Sequence, residues 1–325
     1  MAAEQDASHS SDHGGPPDPS GADAAFTTRE RVALRIADGP PAERTRSLRR
    51  PTFLIIGAMK ASTTSLFDRL ATHPEIGIAS IKEPDFFIAE KNLRKGLGWY
   101  ESLFAGTEGN TARGEASTSY SKCGQFPGVP RRIHAVVPDV RLIYLLRDPV
   151  DRIRSMYQHN VLTGRERRPA DEAVTKDPKY LDASRYGLQV QQYLSVFPSE
   201  QLLVLTMDDL HERPEPTLRT VCAHIGVDWH PPLLTENPRS NVTAERRGET
   251  VASRALRAVR LRPLLRHVPP GPAEFGKRIL TRKRTVPSDI APETLAELRD
   301  RLRPDIELLE TLVDRSFENW RHPSA

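Results

Sequence analysis

The stretch FLIIGAMKASTTSLFDRL, residues 53–70, contains the transition that decides the fold. It begins as a short apolar run typical of a buried strand and ends in a helical pattern. Between these parts lie a glycine, a lysine and four consecutive hydroxyl-bearing residues, STTS. The first backbone N–H groups of a helix have no partners within the helix, and together with the helix dipole they attract anions. Lys60 and the hydroxyl groups that follow it therefore predict a phosphate-binding loop.

The spacing of this loop differs from that of nucleotide triphosphatases. In the pattern G-x-x-x-x-G-K-[ST] the lysine directly precedes the Ser or Thr, whereas here Lys60 precedes Thr63 by three positions. No strand ending in aspartate offers an evident magnesium ligand, so we expect the anion to be bound without magnesium. For this stretch alone, the alternative is a surface lysine beside a hydroxyl N-cap.

Composition and cysteine usage narrow the class of protein. The chain has 325 residues, 38% hydrophobic and 28% charged, which is typical of an enzyme with a sizeable core. Cys123 and Cys222 cannot form a disulfide framework and have no second ligand at metal spacing, so we predict no metal site. No apolar stretch approaches the length of a membrane span, and the N-terminus lacks the pattern of a secretory signal. We therefore expect a cytoplasmic protein without stable membrane insertion.

Two regions have a biased composition. Residues 1–48 are rich in Gly, Pro, Ser and Asp, which predicts a disordered N-terminal extension, with a short helix in TTRERVALRIADG. Residues 239–284 contain thirteen Lys or Arg against three acidic residues and favour an anionic ligand or solvent. The remaining domain is predicted to span residues 49–325, and the sequence does not indicate its oligomeric state.

The order of elements predicts the fold class. Apolar runs in EIGIAS, VRLIYLLRDP and QLLVLTMDDL alternate with helical patterns. Such alternation is typical of an α/β fold, here a doubly wound parallel sheet flanked by helices in a single domain.

A second segment, RLIYLLRDPVDRIRSMYQH, places Arg147 at the end of a buried strand and Ser155 eight residues later, in the following helix. Ligands of open α/β sheets collect at the carboxyl ends of strands. An arginine and a serine that converge there would hold a second phosphate. The alternative is a turn that starts the helix, with a local ion pair between Arg147 and Asp148.

The segments KASTTSL and LLRDPVDRIRSMYQH resemble the two signature segments of sulfotransferases that use 3′-phosphoadenosine 5′-phosphosulfate (PAPS). Together with IKEPDFF, GLGWYESLF and GEASTSYS, they are most similar to the branch that contains heparan-sulfate-type and bacterial carbohydrate sulfotransferases. The likeness covers about residues 50–320 and implies a P-loop-like fold. The family often has glycine where Ser62 stands, so this serine must tolerate the loop conformation or add its hydroxyl group to the loop.

The resemblance implies a set of nucleotide contacts without a metal. The first segment would bind the 5′-phosphosulfate and the second the 3′-phosphate, and a basic loop would close over the nucleotide through Arg246 or Arg247. Tyr186 would line the pocket, with an ordinary buried aromatic as the alternative. The implied contacts are Lys60, Ala61, Ser62, Thr63, Thr64, Ser65, Arg147, Ser155, Tyr186, Arg246 and Arg247.

The resemblance also implies how catalysis works. Lys60 would stabilise the leaving phosphate oxygen, and Glu83, in KEPDFF, would act as the general base. A carboxylate paired only with Lys82 is the alternative for Glu83. Other candidates near the acceptor are Asp85, Glu115 and His159, of which Glu115 and His159 are predicted to contact the substrate.

The expected acceptor is a hydroxyl or amine on a carbohydrate or a glycosylated metabolite, and no nucleic-acid partner is expected. Two other functions stay open: a P-loop kinase-like phosphotransferase, and a catalytically silent nucleotide- or polyanion-binding module. The basic segment 239–284 is interpreted as a lid, with peripheral contact to a membrane or polyanion as the alternative.

Overall fold

A computed structural model of the protein describes residues 26–34, 49–234 and 290–321. Five strands form one parallel sheet in the order β2-β3-β1-β4-β5. The strands are β1 (Phe53–Gly57), β2 (Ile76–Ile78), β3 (Ala112–Ala116), β4 (Arg141–Leu146) and β5 (Leu202–Thr206). This arrangement confirms the predicted α/β class with a parallel sheet.

Helices connect the strands and cover both faces of the sheet. In chain order they are α1 (Thr28–Leu34), α2 (Thr63–Leu70), α3 (Leu97–Ser102), α4 (Val129–Val136), α5 (Pro149–Leu162), α6 (Ala170–Lys176), α7 (Pro178–Asp182), α8 (Tyr186–Leu194), α9 (Met207–Glu212), α10 (Pro214–Ile225) and α11 (Pro292–Val313). None of the helices in these described ranges combines the length and the apolar character needed to cross a bilayer.

Alternate side chains of β1 enter two separate cores. Leu54 and Ile56 face the core formed with α4, α5, α8 and α11. Phe53 and Ile55 face the core formed with α2 and α10. All four side chains are fully buried, and each such burial stabilises the fold by roughly 1.5–3 kcal/mol. The sheet is therefore covered on both faces, which explains why its strands are almost continuously apolar.

Strand β3, with the sequence ARGEA, is missing from the elements predicted above. It pairs with β1 on one side and β2 on the other, and all five of its residues are buried. Gly114 makes this pairing feasible, since a Cβ atom there would lie 2.2 Å from the ring of Phe53. Arg113 satisfies its guanidinium group through the carbonyl groups of Arg50 and Asn110.

Helix α9 directly follows β5, and its N-terminus has a capping box between Thr206 and Asp209. Helix α1 confirms the short helix predicted in TTRERVALRIADG. Leu34 is buried, and Glu30 forms an ion pair at 2.9 Å with the buried Arg132 of α4. The predicted N-terminal extension 1–48 therefore includes a packed helix. The basic segment 239–284, with Arg246 and Arg247, lies outside the described residues.

Candidate active site

The carboxyl ends of the five parallel strands meet at one edge of the sheet. Strand β1 lies between β3 and β4. The chain first builds β2 and β3 on one side of β1 and then crosses to build β4 and β5 on the other side. The crevice above β1 and β4 is therefore the topological switch point, where open α/β sheets bind their ligands.

The loop of residues 58–62 leaves β1 at this switch point and leads directly into helix α2. Lys60 is half-buried and has a φ of 77°, and Ala61 is fully buried. The N–H of Ala58 donates to the carbonyl group of Leu145 in β4 at 2.6 Å, which ties the start of the loop to the neighbouring strand. The first N–H groups of α2, including those of Thr63, Thr64 and Ser65, thus point out of the carboxyl edge of the sheet.

Ser62 is the N-cap of α2 and adopts a left-handed conformation, with φ 62° and ψ 20°. This conformation accounts for the glycine that the resembled family often has at this position. The Ser62 hydroxyl makes no capping hydrogen bond to its own helix and lies 3.2 Å from Nε2 of His211 on α9. The hydroxyl therefore connects the loop of residues 58–62, which is the anion loop predicted above, to the strand end of β5.

Arg147 follows β4 directly, beside the loop that follows β1. Its guanidinium group lies 3.8 Å from the carboxylate of Asp151. Its Nε atom is buried and makes no hydrogen bond with any residue in the described ranges. Asp148, in contrast, is used locally: its carboxylate accepts from the N–H groups of Val150 and Asp151 and caps α5. A buried guanidinium N–H without a hydrogen-bond partner in the described ranges fits an anionic ligand group.

Tyr186 contacts this arginine in the fold, and Ser155 lies in the helix that follows it. Ser155 is buried in α5, two turns after the helix begins. The Tyr186 hydroxyl donates to the carbonyl oxygen of Arg147 at 3.0 Å, and the Tyr186 ring is buried against Tyr144 and Trp320. Tyr186 therefore fixes the backbone of Arg147, and its burial raises the pKa of its hydroxyl group.

Glu83 is exposed at the same edge, in the segment that follows β2. Its N–H donates to the carbonyl group of Ala116 at the end of β3, at 3.0 Å, and its φ is 52°. Its carboxylate accepts a hydrogen bond from the Thr118 hydroxyl at 3.2 Å. A carboxylate in this position is accessible to an acceptor and can take up its proton.

Lys82 was considered above only as a possible ion-pair partner of Glu83. In the structure its ammonium group donates to the hydroxyl of Thr64, in the first turn of α2. Asp85 is also engaged, since Lys91 donates to its carboxylate at 2.6 Å. The first contact joins the segment after β2 to α2, and the second lies within that segment. They leave Glu83 as the accessible carboxylate of KEPDFF.

Glu115 does not face an acceptor, contrary to the prediction. It is fully buried in β3, where its carboxylate accepts from Tyr100 at 3.2 Å, Tyr120 at 2.7 Å and Ser117 at 2.8 Å. Burial raises its pKa to about 7, although the three hydrogen bonds lower it. The alternation of side chains in a buried strand, with no room for solvent on either face, explains this placement.

His159 is also separated from the anion loop. It lies in the last turn of α5, about 15 Å along the helix axis from Pro149 at 1.5 Å per residue. The structure therefore places Lys60, Ser62, Arg147 and Glu83 at the carboxyl edge of the sheet. Ser155 lies in the helix after Arg147, and His159 lies farther along that helix.

Comparison with known proteins agrees with this geometry. Residues 50–251 match the model of the sulfotransferase domain. The chain belongs to the sulfotransferase domain family. The family resemblance read from KASTTSL and LLRDPVDRIRSMYQH is thereby confirmed.

Two similar relatives are enzymes of carbohydrate sulfation by name. Human carbohydrate sulfotransferase 15 is 27% identical over 263 residues, which cover 59% of this chain and 47% of the relative. Mouse heparan sulfate glucosamine 3-O-sulfotransferase 3B1 is 31% identical over 187 residues, which cover 54% of this chain and 46% of the relative. The chain thus spans about half the length of these relatives.

The fold is similar to a solved structure over most of its length. The crystal structure of a sulfotransferase from Alicyclobacillus acidocaldarius has a TM-score of 0.61 and 26% identity, and the match covers 84% of this chain and 99% of that one. The predicted P-loop-like doubly wound sheet is the sulfotransferase fold.

Proposed function

We propose that this protein transfers a sulfuryl group from PAPS to a hydroxyl group of a carbohydrate acceptor. The observation that supports this most directly is the pair of anion-binding elements on adjacent strand ends, with an accessible carboxylate beside them. The loop after β1 carries Lys60, and the segment after β4 carries Arg147. Neighbouring strands lie about 4.8 Å apart, so the two elements can hold the two phosphate ends of one nucleotide.

The donor set fits PAPS better than a magnesium-bound triphosphate. Arg147 has a buried Nε donor that makes no bond with the described residues, and Ser62 leaves its own helix N-terminus without a side-chain cap. Lys60, Ala61, Ser62, Thr63, Thr64 and Ser65 would bind the 5′-phosphosulfate. Arg147 and Ser155 would bind the 3′-phosphate, with Tyr186 holding the backbone of the arginine.

Glu83 would act as the base in this reaction. It takes the proton of the acceptor hydroxyl group while Lys60 stabilises the charge that develops on the leaving phosphate oxygen. Sulfuryl transfer is expected to pass through a loose transition state, by analogy with phosphoryl transfer. The protein must then align the donor with the acceptor and stabilise the charge on the leaving phosphate. In this proposal the residues around the crevice do both.

The acceptor class rests on the named relatives, which act on carbohydrate and heparan sulfate. A glycosylated metabolite and an amine acceptor belong to the same proposal. Contacts from Arg246 or Arg247, the lid role of residues 239–284 and the cytoplasmic location stay predictions.

Two measurements test the function. Calorimetry should show that 3′,5′-adenosine bisphosphate (PAP) binds without magnesium and more tightly than ATP with magnesium. Incubation with ³⁵S-labelled PAPS and a panel of desulfated heparan, chondroitin and glycolipid acceptors should then show transfer of label. Lys60→Ala should abolish transfer, while Lys176→Ala, on the exposed surface of α6, should not change it. Tight binding of ATP with magnesium and none of PAP would instead favour a kinase.

A further inference from the structure

Lys122 lies at the base of the anion loop, in a segment for which no role has been described. Residues 117–122 follow β3 and cross the carboxyl end of β1, where the N–H groups of Ser117 and Ser121 donate to Ile55 and Ile56 at 3.1 Å. A Cβ atom on Gly57 would lie 2.0 Å from the Ser121 hydroxyl. The glycine that ends β1 therefore makes room for the segment that carries Lys122.

The backbone on both sides of Lys122 is held by helix α8. The Tyr193 hydroxyl donates to the carbonyl group of Tyr120 at 3.1 Å. The N–H of Cys123 donates to Oε1 of Gln189 at 2.9 Å. Both helix residues are fully buried. A lysine anchored in this way is positioned before any ligand arrives, which reduces the cost of ordering it.

The ammonium group of Lys122 is under-used by the protein. Within the described residues its single hydrogen bond goes to Sδ of Met59, at 3.4 Å, and Met59 directly precedes Lys60. A thioether is a weak acceptor, and an ammonium group has three donors. No carboxylate of the described ranges lies within ion-pair distance of it.

The charges that face Lys122 come from helix α5 and from the segment after β2. The pKa of its ammonium group is lowered to about 8, mainly by burial and then by the positive charges of Arg152 and Lys91, while Glu83 and Asp85 act in the opposite direction. The amine thus interacts electrostatically with the proposed base, Glu83, and with Arg152, which is buried in α5. An ammonium group with spare donors between these charges suits a ligand that brings negative charge.

We propose that Lys122 is a second amine of the reaction centre, which donates to the sulfuryl oxygens of PAPS during transfer. The inference rests on the proposed function. The S–O bond to the leaving phosphate breaks and takes its electron pair to that phosphate. A new S–O bond forms to the acceptor, whose proton passes to Glu83. Lys122 forms no covalent bond; it turns from Met59 to the sulfuryl group.

Two substitutions separate this role from packing. Lys122→Met removes the charge and keeps an unbranched side chain against Met59, whereas Lys122→Arg keeps the charge. We expect Lys122→Met to lower the turnover rate, measured as PAP formed at saturating PAPS, by about 100-fold, which is the loss typical of removing one donor to developing charge. The KM for PAPS should stay within about threefold of the parent. Lys122→Arg should recover part of the rate, and Lys176→Met should match the parent.

The pH profile gives a readout that packing would not change. In the parent, kcat/KM for PAPS should fall above about pH 8, because the free enzyme loses the Lys122 charge there. This alkaline limb should be absent from Lys122→Met. Trace acetylation near that pH, followed by peptide mass spectrometry, should label Lys122 faster than Lys176, and PAPS should protect it more than PAP does.

The outcomes are distinguishable. A parental rate and pH profile in Lys122→Met, or equal protection by PAP and PAPS, would overturn the role of Lys122 and leave the sulfotransferase activity standing. A parent protein that neither binds PAP nor consumes PAPS would refute the proposed function, and the role of Lys122 with it.

Discussion

Glu115→Gln should make the stability of this protein less dependent on pH. The carboxyl group of Glu115 supports the segment that carries Glu83: Ser117, which donates to it, accepts from the N–H of Asp85 at 3.1 Å. Tyr120, which also donates to it, accepts from the N–H of Phe86 at 3.0 Å. Glutamine has the same size, and its amide can donate to the Ser117 hydroxyl while its oxygen accepts from the tyrosines, as a protonated glutamic acid would.

The sign and size of the effect follow from the pKa of Glu115. Burial raises this pKa from 4.5 to about 7 in the folded protein, so the fold favours the protonated acid. The stabilisation is fully present below about pH 4.5 and is lost as the pH rises through about 7. Each pH unit between the two values is worth about 1.4 kcal/mol. The parent should therefore lose on the order of 3 kcal/mol of unfolding free energy over this range, and Glu115→Gln should not.

Urea unfolding followed by tryptophan fluorescence, at about pH 5 and about pH 8, measures the difference. Glu115→Gln should gain on the parent as the pH rises, and Glu307→Gln, on the exposed face of α11, should follow the parent. The comparison between proteins removes the contributions of other titrating groups, such as His224, whose pKa is lowered by burial. Parallel pH dependence in the parent and Glu115→Gln would refute the reasoning.

Substitutions at three further positions test the site. Glu83→Gln should keep its affinity for PAP and lower turnover about 100-fold or more, because the base is lost; a rate within a few-fold of the parent would place the base elsewhere. Arg147→Ala should weaken PAP much more than 5′-adenosine monophosphate in calorimetry, whereas equal losses would contradict its contact with the 3′-phosphate. Ser62→Ala should be less stable than Ser62→Gly by about 1 kcal/mol in urea unfolding. Both variants lose the His211 contact, but only glycine adopts the left-handed φ at no cost. Equal stabilities would argue against that backbone conformation.

Much of the fold could be predicted from local patterns. The apolar runs of β1, β4 and β5 are long enough to be recognised as buried strands, and each is followed by a helix. Lys60 and Arg147 could be assigned for the same reason. Arg147 directly follows β4, and Lys60 lies three positions after the end of β1. In a parallel sheet all strand ends face one edge, so sequence position relative to the strand is enough to place these side chains.

Strand β3 could not be recognised in this way. Its sequence, ARGEA, has a low strand propensity and two charged residues, and only its neighbours make it a strand. Phe53 of β1 fills the space that Gly114 leaves, and the carbonyl groups of Arg50 and Asn110 satisfy Arg113. Because β3 was not predicted, the position of Glu115 in the buried sheet could not be anticipated either.

The sequence alone determined the class of fold and the family, and it located the two segments proposed to bind anions, because each depends on residues close together in the chain. The tertiary structure decided which polar groups are accessible to a ligand. It buried Glu115 among two tyrosines and a serine, left Glu83 exposed, and brought Lys122 to Met59, although 63 positions separate these two residues in the chain. Burial and the charges of distant segments set the pKa and the hydrogen-bonding capacity of such groups, and neither is a property of the local sequence.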